Sequence, residues 1–411
     1  MERTIIVGGG HGGAQAAVSL RQEGYEGEIV LVSDEAHLPY HKPPLSKTFL
    51  KAGGAAQLLR PESFYTDNAV ELKLETRVAE IDRRAGLVRC DDGAAIEFSS
   101  LILATGASAR RPPIAGADLE NVFVLRNMSD AERMRAEADD ASEIVIIGGG
   151  FIGLELAHTL VGLGKQVKVV EMGQRLLARS VAPVISAYVL DRLFAADIDV
   201  RLGAEVRGLE QAGARAAAVT LAGGERLGAD MVVLGTGAVP STGLAEAAGL
   251  AVDNGIVVDH AMRTADPRIF ALGDVASFTH WQWQKPARLE CVQNANDQAR
   301  HAAKAITGKE TDYRDVSWFW SDQGSTKLQM AGLSMASDRT ILSGSPENDD
   351  LAVYHFDRDR LVCVETVNRP GEHMLARRLL AAGITPSEAD IADGKDALKA
   401  LLGGPAQGRS A

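Results

Sequence analysis

Two stretches of this chain repeat each other and constrain what the rest can fold into. They are Thr4-Ile5-Ile6-Val7-Gly8-Gly9-Gly10-His11-Gly12-Gly13 and Glu143-Ile144-Val145-Ile146-Ile147-Gly148-Gly149-Gly150-Phe151-Ile152-Gly153. In each, a β-branched run reads as a buried strand that breaks into glycines and then opens a helical pattern, alanine-rich from Ala14 to Gln22 in the first copy. Gly8, Gly10 and Gly13, and again Gly148, Gly150 and Gly153, fit G-x-G-x-x-G between strand and helix. The first glycine permits a tight turn and the second a close approach of backbone to a pyrophosphate. The third lets helix and strand pack tightly, and the phosphate rests on the helix N-terminus. A single match is also what a purely structural glycine turn looks like. Two in one chain predict two nucleotide sites.

A chain of 411 residues is too long for one ordinary core, so two or three domains are expected. The composition, 46% hydrophobic and 24% charged, is that of a soluble protein, and no apolar stretch approaches a membrane span. The first strand is read from Thr4, so no signal or transit peptide is expected. Cys90, Cys291 and Cys363 are far apart and lack metal-ligand spacing, which fits a reducing cytoplasm and predicts neither disulfides nor a metal site. The net charge of −12 argues against nonspecific nucleic-acid binding. It also means that an acidic protein partner needs a locally basic landing place.

After the first helix, Glu28 to Val32 reads as a second strand, followed by Asp34 and Glu35. Either carboxylate stands where an adenosine ribose would be met, and a solvated turn is the alternative. His37-Leu38-Pro39-Tyr40-His41-Lys42-Pro43-Pro44-Leu45-Ser46-Lys47 is a proline-stiffened loop that enters a helix near Ser46. Leu87 to Cys90 and Ala95 to Phe98 flank Asp91-Asp92-Gly93 as a hairpin. The strand Leu101-Ile102-Leu103-Ala104 ends at Thr105-Gly106, a small-residue turn where backbone can come close to a ligand. Met231 to Leu234, ending at Gly235-Thr236-Gly237, mirrors it.

Downstream of the second fingerprint, the strand Gln166 to Val170 ends at Glu171, 23 residues after Gly148. A carboxylate there accepts bonds from both ribose hydroxyls and repels a 2′-phosphate, which favours NAD over NADP. Arg175 follows closely enough to blur that preference, unless it makes an ordinary surface ion pair. Further on, Gly273-Asp274 closes a short apolar strand, where an acid can reach a ligand hydroxyl or cap a helix. A helix is expected from Cys291 to Thr307. From Trp318 the pattern becomes strand-rich, with strands at 326–330, 340–342, 351–356 and 361–367 and helices at 372–382 and 397–402. Residues 403–411 are expected to be disordered.

Together these residues resemble the flavin-dependent ferredoxin reductases of bacterial oxygenase systems. The likeness covers nearly the whole chain. It is carried by both fingerprints, Pro43-Pro44-Leu45-Ser46-Lys47, Ala104-Thr105-Gly106, Gly273-Asp274, Trp318-Phe319-Trp320-Ser321-Asp322-Gln323 and Thr366-Val367-Asn368-Arg369-Pro370. The resemblance implies an α/β fold of the glutathione-reductase type, with two Rossmann-like nucleotide-binding domains and a C-terminal α+β domain. An FAD domain would comprise residues 1–108 and 236–316, an NAD domain 109–235, and the C-terminal domain 317–411, covering the far side of the flavin.

The same resemblance places FAD against the first fingerprint with its Gly12, and against Asp34, Lys47, Val78, Ala104, Arg126, Gly237, Asp274 and Val292. It places the NAD pyrophosphate on Gly150, Ile152 and Gly153, with Glu171 on the ribose. Glu155 matches a family acid near the nicotinamide, and the likeness implies that Lys47 would lie near the reactive edge of the flavin, where it could pair with Glu155. Trp320 matches an aromatic near the isoalloxazine, a place that also suits a domain-interface core residue. A lysine so placed stabilises negative charge on the reduced ring, and no essential nucleophile or acid is expected. The implied acceptor is a [2Fe-2S] ferredoxin serving a cytochrome P450 or a ring-hydroxylating oxygenase, with the reductase a monomer or weak homodimer. Lys42, Lys47, Arg288, Arg300, Lys304 and Arg314 are candidate docking cations.

Disulfide reductases of this broad fold carry a redox cysteine pair after the first βαβ opening, where this chain has Pro43 to Lys47 and no thiol. Two other readings stay open at this level. One is a reductase of a small acceptor such as a quinone or monodehydroascorbate. The other is an NADH-sensing flavoprotein resembling apoptosis-inducing factor. The fingerprints do not separate these, because the acceptor docks outside them.

Overall fold

The computed structural model describes residues 2–52, 56–334 and 337–403, so most of the tail expected to be disordered lies outside the described residues. The chain divides into two compact units. The first comprises Met1–Arg110, Val124–Arg135 and Gly237–Arg314, and the second Arg111–Phe123, Ala136–Thr236 and Asp315–Ala411.

The first unit is built on a five-stranded parallel sheet in the order Val70–Lys73, Glu28–Val32, Arg3–Val7, Ser100–Leu103, Ile269–Ala271. Strands covered on both faces need near-continuous apolar runs, and Ile5, Ile6, Leu31, Leu101 and Ile102 are completely buried. The fingerprint helix spans His11–Gln22 and thus starts earlier than Ala14, with Gly12 and Gly13 inside its first turn. The reason is steric. A Cβ on Gly13 would run into the carbonyl of Gly8, and one on Gly12 into Leu272, so these glycines let a helix start where any side chain would hold it off. The expected hairpin Leu87–Cys90/Ala95–Glu97 gains a third strand, Val78–Asp82, that the sequence reading passed over.

The second unit repeats this plan. Its parallel sheet runs Asp199–Leu202, Gln166–Glu171, Glu143–Ile147, Met231–Leu234, Val122–Phe123. Val7 pairs with Val32 and Leu103 in the first sheet, and Ile147 pairs with Val170 and Leu234 in the second. Even the antiparallel sheet recurs, as Val206–Ala212, Arg215–Leu221 and Arg226–Gly228. The sequence reading anticipated the duplication but neither these three strands nor the helices Met128–Asp140 and Pro183–Ala195.

The second unit also holds an antiparallel sheet in the order Trp318–Gln323, Thr326–Gly332, Arg360–Val367, Asp350–Asp357, Arg339–Ser345. Tyr354, Phe356 and Val364 on one of its faces form a core with Ala376 and Leu379 of the helix Pro370–Ala382. The turn expected at Asp357 to Arg360 is present, with Arg358 in the left-handed region at φ 55°. The proline-stiffened loop is a 3₁₀ turn, Pro43–Ser46, that breaks at Lys47 before a short helix, Thr48–Ala52.

Candidate functional site

The two glycine turns have nearly the same geometry. Gly8 and Gly148 adopt φ of 115° and 113°, the left-handed side of backbone space where a side chain is strained. A Cβ on either would strike the backbone of the strand-end turn opposite, Ala104 in one unit and Gly235 in the other. Gly10 and Gly150 are the N-caps of the helices His11–Gln22 and Phe151–Val161, and neither helix has a side-chain cap. Their first-turn N–H groups therefore point at whatever occupies the crevice, which suits a pyrophosphate.

The carboxylates differ between the copies. In the second unit Glu171, the last residue of its strand, accepts the N–H of Gly149 at 2.7 Å and that of Gly173 at 2.6 Å. Its side chain is thereby held beside the glycine turn. By register the equivalent residue of the first unit is Ser33, whose Oγ would lie 2.8 Å from a Cβ on Gly9. The acid is displaced by one or two places, and the structure separates the two candidates. Glu35 accepts from the hydroxyl of Tyr40 and from Lys42 Nζ at 2.9 Å, whereas Asp34 is exposed. Tyr40 in turn accepts the N–H of Met128 at 2.8 Å, so Glu35 is part of a structural knot; burial and that carboxylate push the tyrosine pKa up.

Arg126 and Asp274, 148 residues apart, form an ion pair at 2.6 Å within the first unit. Arg288 donates to the carbonyl of Asp274 at 3.0 Å. Val292 is the first residue of the helix Val292–Ile306, Val78 is buried at the start of its strand, and Lys47 Nζ lies 3.5 Å from the carbonyl of Pro43. The first unit thus collects Gly8, Gly10, Gly12, Gly13, Asp34, Lys47, Val78, Ala104, Arg126, Gly237, Asp274 and Val292. The second collects Gly148, Gly150, Ile152, Gly153, Glu155, Glu171 and Trp320. Ile152 is 45% exposed at the mouth of its turn, and Trp320 packs against Trp318 with ring centroids 5.6 Å apart.

His11 opens the first fingerprint helix with a buried Nε2 that has no hydrogen-bond partner among the described residues. Burial, reinforced by the positive charges of His41, Lys42 and Arg126, lowers its pKa to about 4, so it is neutral at pH 7. The N–H donors of the glycine cradle and uncapped helix, with the Arg126 guanidinium and the Asp274 carboxylate as an acceptor, fit FAD. The second turn with Glu171 fits NAD(H).

Arg175 is turned onto its own loop. It donates to the carbonyls of Val181 at 2.8 Å and Ala178 at 2.6 Å and to Ser186 Oγ at 3.2 Å, clamping its own loop. Cys291 is half-buried as the N-cap of the helix Val292–Ile306, and desolvation pushes its thiol up to about 12, which disfavours a thiolate there. Of the candidate docking cations, Lys42 pairs with Glu35, Arg288 with Glu290 at 2.6 Å, Arg300 with Asp297 and Arg314 with Asp312 at 2.6 Å. Among the described residues no helix is long and apolar enough to cross a membrane. The sequence reading missed the contacts of Glu155. The acid is 8% exposed and bonded to Ser321, a pairing between residues 166 positions apart for which no local signal exists.

A protein-family model described as pyridine nucleotide-disulphide oxidoreductase matches residues 2–299, and one described as reductase C-terminal matches residues 318–402. The chain is 43% identical to rhodocoxin reductase of Rhodococcus erythropolis, over 95% of this chain and 92% of that one. Among solved structures it is similar to the ferredoxin reductase for the CYP199A2 system from Rhodopseudomonas palustris. That match has TM-score 0.95 and 40% identity and covers 98% of this chain and 100% of the other. It is also similar to the reductase in the covalent putidaredoxin reductase–putidaredoxin complex, with TM-score 0.94, 37% identity and 98% of both chains covered. Two duplicated dinucleotide folds, a cysteine-free Pro43–Lys47 turn and a matched C-terminal sheet thus agree: the chain belongs to the pyridine nucleotide-disulphide oxidoreductase family, among its ferredoxin reductases that carry the reductase C-terminal domain.

Proposed function

We propose that this protein is an FAD-dependent NADH:ferredoxin reductase, which takes a hydride from NADH and delivers single electrons to a [2Fe-2S] ferredoxin of an oxygenase system. The observation that carries the reading is the pair of matched glycine turns, of which only the second has a carboxylate held by two backbone N–H groups, at Glu171. One turn suits a resident flavin dinucleotide and the other an exchanging NAD(H). FAD, when bound, supplies hydride acceptance and one-electron release.

The chain's own part is placement. Gly8, Gly10, Gly12 and Gly13 bring backbone to the FAD pyrophosphate, with Asp34, Arg126 and Asp274 on the hydroxyls and Lys47, Val78, Ala104, Gly237 and Val292 lining the rest. Gly148, Gly150, Ile152 and Gly153 hold the NAD pyrophosphate, and Glu171 takes the ribose. Glu155 orients the nicotinamide, Lys47 holds compensating charge at the flavin edge, and Trp320 covers the ring. In this reading the FAD domain is 1–108 with 236–316, the NAD domain 109–235 and the C-terminal domain 317–411. NADH is preferred to NADPH, because the anchored Glu171 carboxylate repels a 2′-phosphate while Arg175 is spent on its own loop. The protein works in the cytoplasm as a monomer or weak homodimer.

Anaerobic stopped-flow tests the proposal. Flavin absorbance should bleach rapidly with NADH, slowly with NADPH, and recover rapidly when an oxidised [2Fe-2S] ferredoxin is mixed in. Rapid bleaching without recovery would move the function to a small acceptor or a sensor. A purified protein without flavin would overturn it.

A further inference from the structure

The strand Trp318–Gln323 turns Phe319, Ser321 and Gln323 to one side, as alternate residues of a strand must. All three meet the start of the helix Phe151–Val161 within the second unit. The ring of Phe319 lies 4.7 Å from that of Phe151. Ser321 is completely buried, and its hydroxyl donates to Glu155 Oε1 at 2.6 Å. Gln323, also buried, donates from Nε2 to Ser321 Oγ at 2.7 Å and to the carbonyl of Phe151 at 3.4 Å.

The direction of this chain is fixed by its ends. The Phe151 carbonyl only accepts, so the Gln323 amide presents its NH₂ side there and also to Ser321. The serine has a single proton, and with its oxygen already accepting, that proton goes to the carboxylate of Glu155, which only accepts when ionised. Chains of this kind polarise one another and lock rotamers in a dry interior.

We propose that Ser321, oriented by Gln323, is a positioning residue that fixes the Glu155 carboxylate at the nicotinamide end of the NAD(H) site. The proposal rests on the reading of Glu155 given above. Ser321 touches neither nucleotide in this account and acts only through Glu155. Loss of the hydroxyl removes the bond that holds Glu155 Oε1 on this side, and small misplacements of an orienting group are costly in rate because hydride transfer needs close alignment. Affinity changes little, because the adenosine half of NADH is held elsewhere, by Gly150, Gly153 and Glu171.

The test compares Ser321→Ala, Ser321→Thr, Gln323→Leu and Glu155→Gln holoenzymes, each with its flavin content and melting temperature measured. The expected result for Ser321→Ala is a limiting rate of flavin reduction by NADH lower by about tenfold, the worth of one charge-assisted hydrogen bond, with the NADH Kd within about twofold. Ser321→Thr keeps the hydroxyl and should recover most of the rate, and Gln323→Leu should fall between. Independently of activity, a crystal structure of Ser321→Ala should show Glu155 displaced or in two rotamers. An unchanged Glu155 and a native rate in Ser321→Ala would overturn the proposal, as would a Thr variant as slow as the Ala variant, since packing alone would then account for the loss. If Glu155→Gln reduces at the native rate, the reading of Glu155 itself falls. If Glu155→Gln is slow and Ser321→Ala native, only the positioning role falls.

Discussion

Arg126 and Asp274 meet at 2.6 Å, although one lies just before a helix in the middle of the chain and the other follows a strand near residue 270. Both are partly shielded, with 26% and 18% of their side chains exposed, so each is the other's main neutralising partner. Truncating one leaves the other charge half-buried and unpaired, which costs on the order of 1–3 kcal/mol. Arg126→Ala and Asp274→Ala should each purify with less than stoichiometric FAD, and the double variant should be less than additive. Flavin-to-protein absorbance ratios check this; full additivity would mean that the pair is not coupled.

The duplicated turns predict opposite failures from the same substitution. A Cβ at position 13 would run into the carbonyl of Gly8, and one at position 153 would lie 2.6 Å from that of Gly148. Gly13→Ala should lose FAD. Gly153→Ala should keep FAD and raise the KM for NADH by about tenfold or more, through a helix pushed off its strand. Flavin content and steady-state kinetics of the two variants decide the assignment of each turn.

Glu171 and Arg175 give separable effects on nucleotide choice. Glu171→Ala removes the carboxylate that repels a 2′-phosphate together with two backbone bonds, so kcat/KM for NADH should fall by about tenfold or more and the NADH/NADPH ratio should shrink. Arg175→Ala unclamps the loop that it holds through Ala178, Val181 and Ser186, and should weaken both nucleotides without changing their ratio. Kinetics with both coenzymes separate the two roles.

Acid sensitivity should come from buried histidines. His11, His280 and His373 are all held near a pKa of about 4, chiefly by burial. Between about pH 6.5 and pH 4 the unfolded chain binds protons at these sites that the folded chain does not, so stability falls as pH falls through that window, by up to about 3 kcal/mol per histidine. His373 has no hydrogen-bond partner on either ring nitrogen among the described residues. His373→Leu should therefore flatten the dependence, and melting temperatures of both proteins at pH 7 and pH 5 measure it.

Ferredoxin docking should be sensitive to charge on the helix Val292–Ile306. The double variant Arg300→Glu/Lys304→Glu should slow flavin reoxidation by ferredoxin several-fold at low salt and leave reduction by NADH unaltered. Equal effects on both half-reactions would remove this helix from the docking surface.

Whatever depends on neighbours in sequence is legible in the sequence itself. A β-branched run, a glycine turn and a helix are set by local sterics, so both fingerprints, the strand Glu28–Val32 and Glu171 at the end of its own strand fall where the spacing places them. The C-terminal sheet was legible, but of the two three-stranded antiparallel sheets one hairpin of the first and no strand of the second could be read, because a short strand such as Val78–Asp82 has no signal stronger than its surroundings. Tertiary structure alone decided which charges are already satisfied. It ties Glu35 to Tyr40 and Lys42, turns Arg175 onto its own loop, and brings Ser321 and Gln323 under Glu155. Those outcomes follow from groups as near as Glu35 and Tyr40 and as distant as Glu155 and Ser321 meeting in low-dielectric surroundings, where a hydrogen bond is worth most and an unmet one costs most. No property of the isolated residue announces such a meeting.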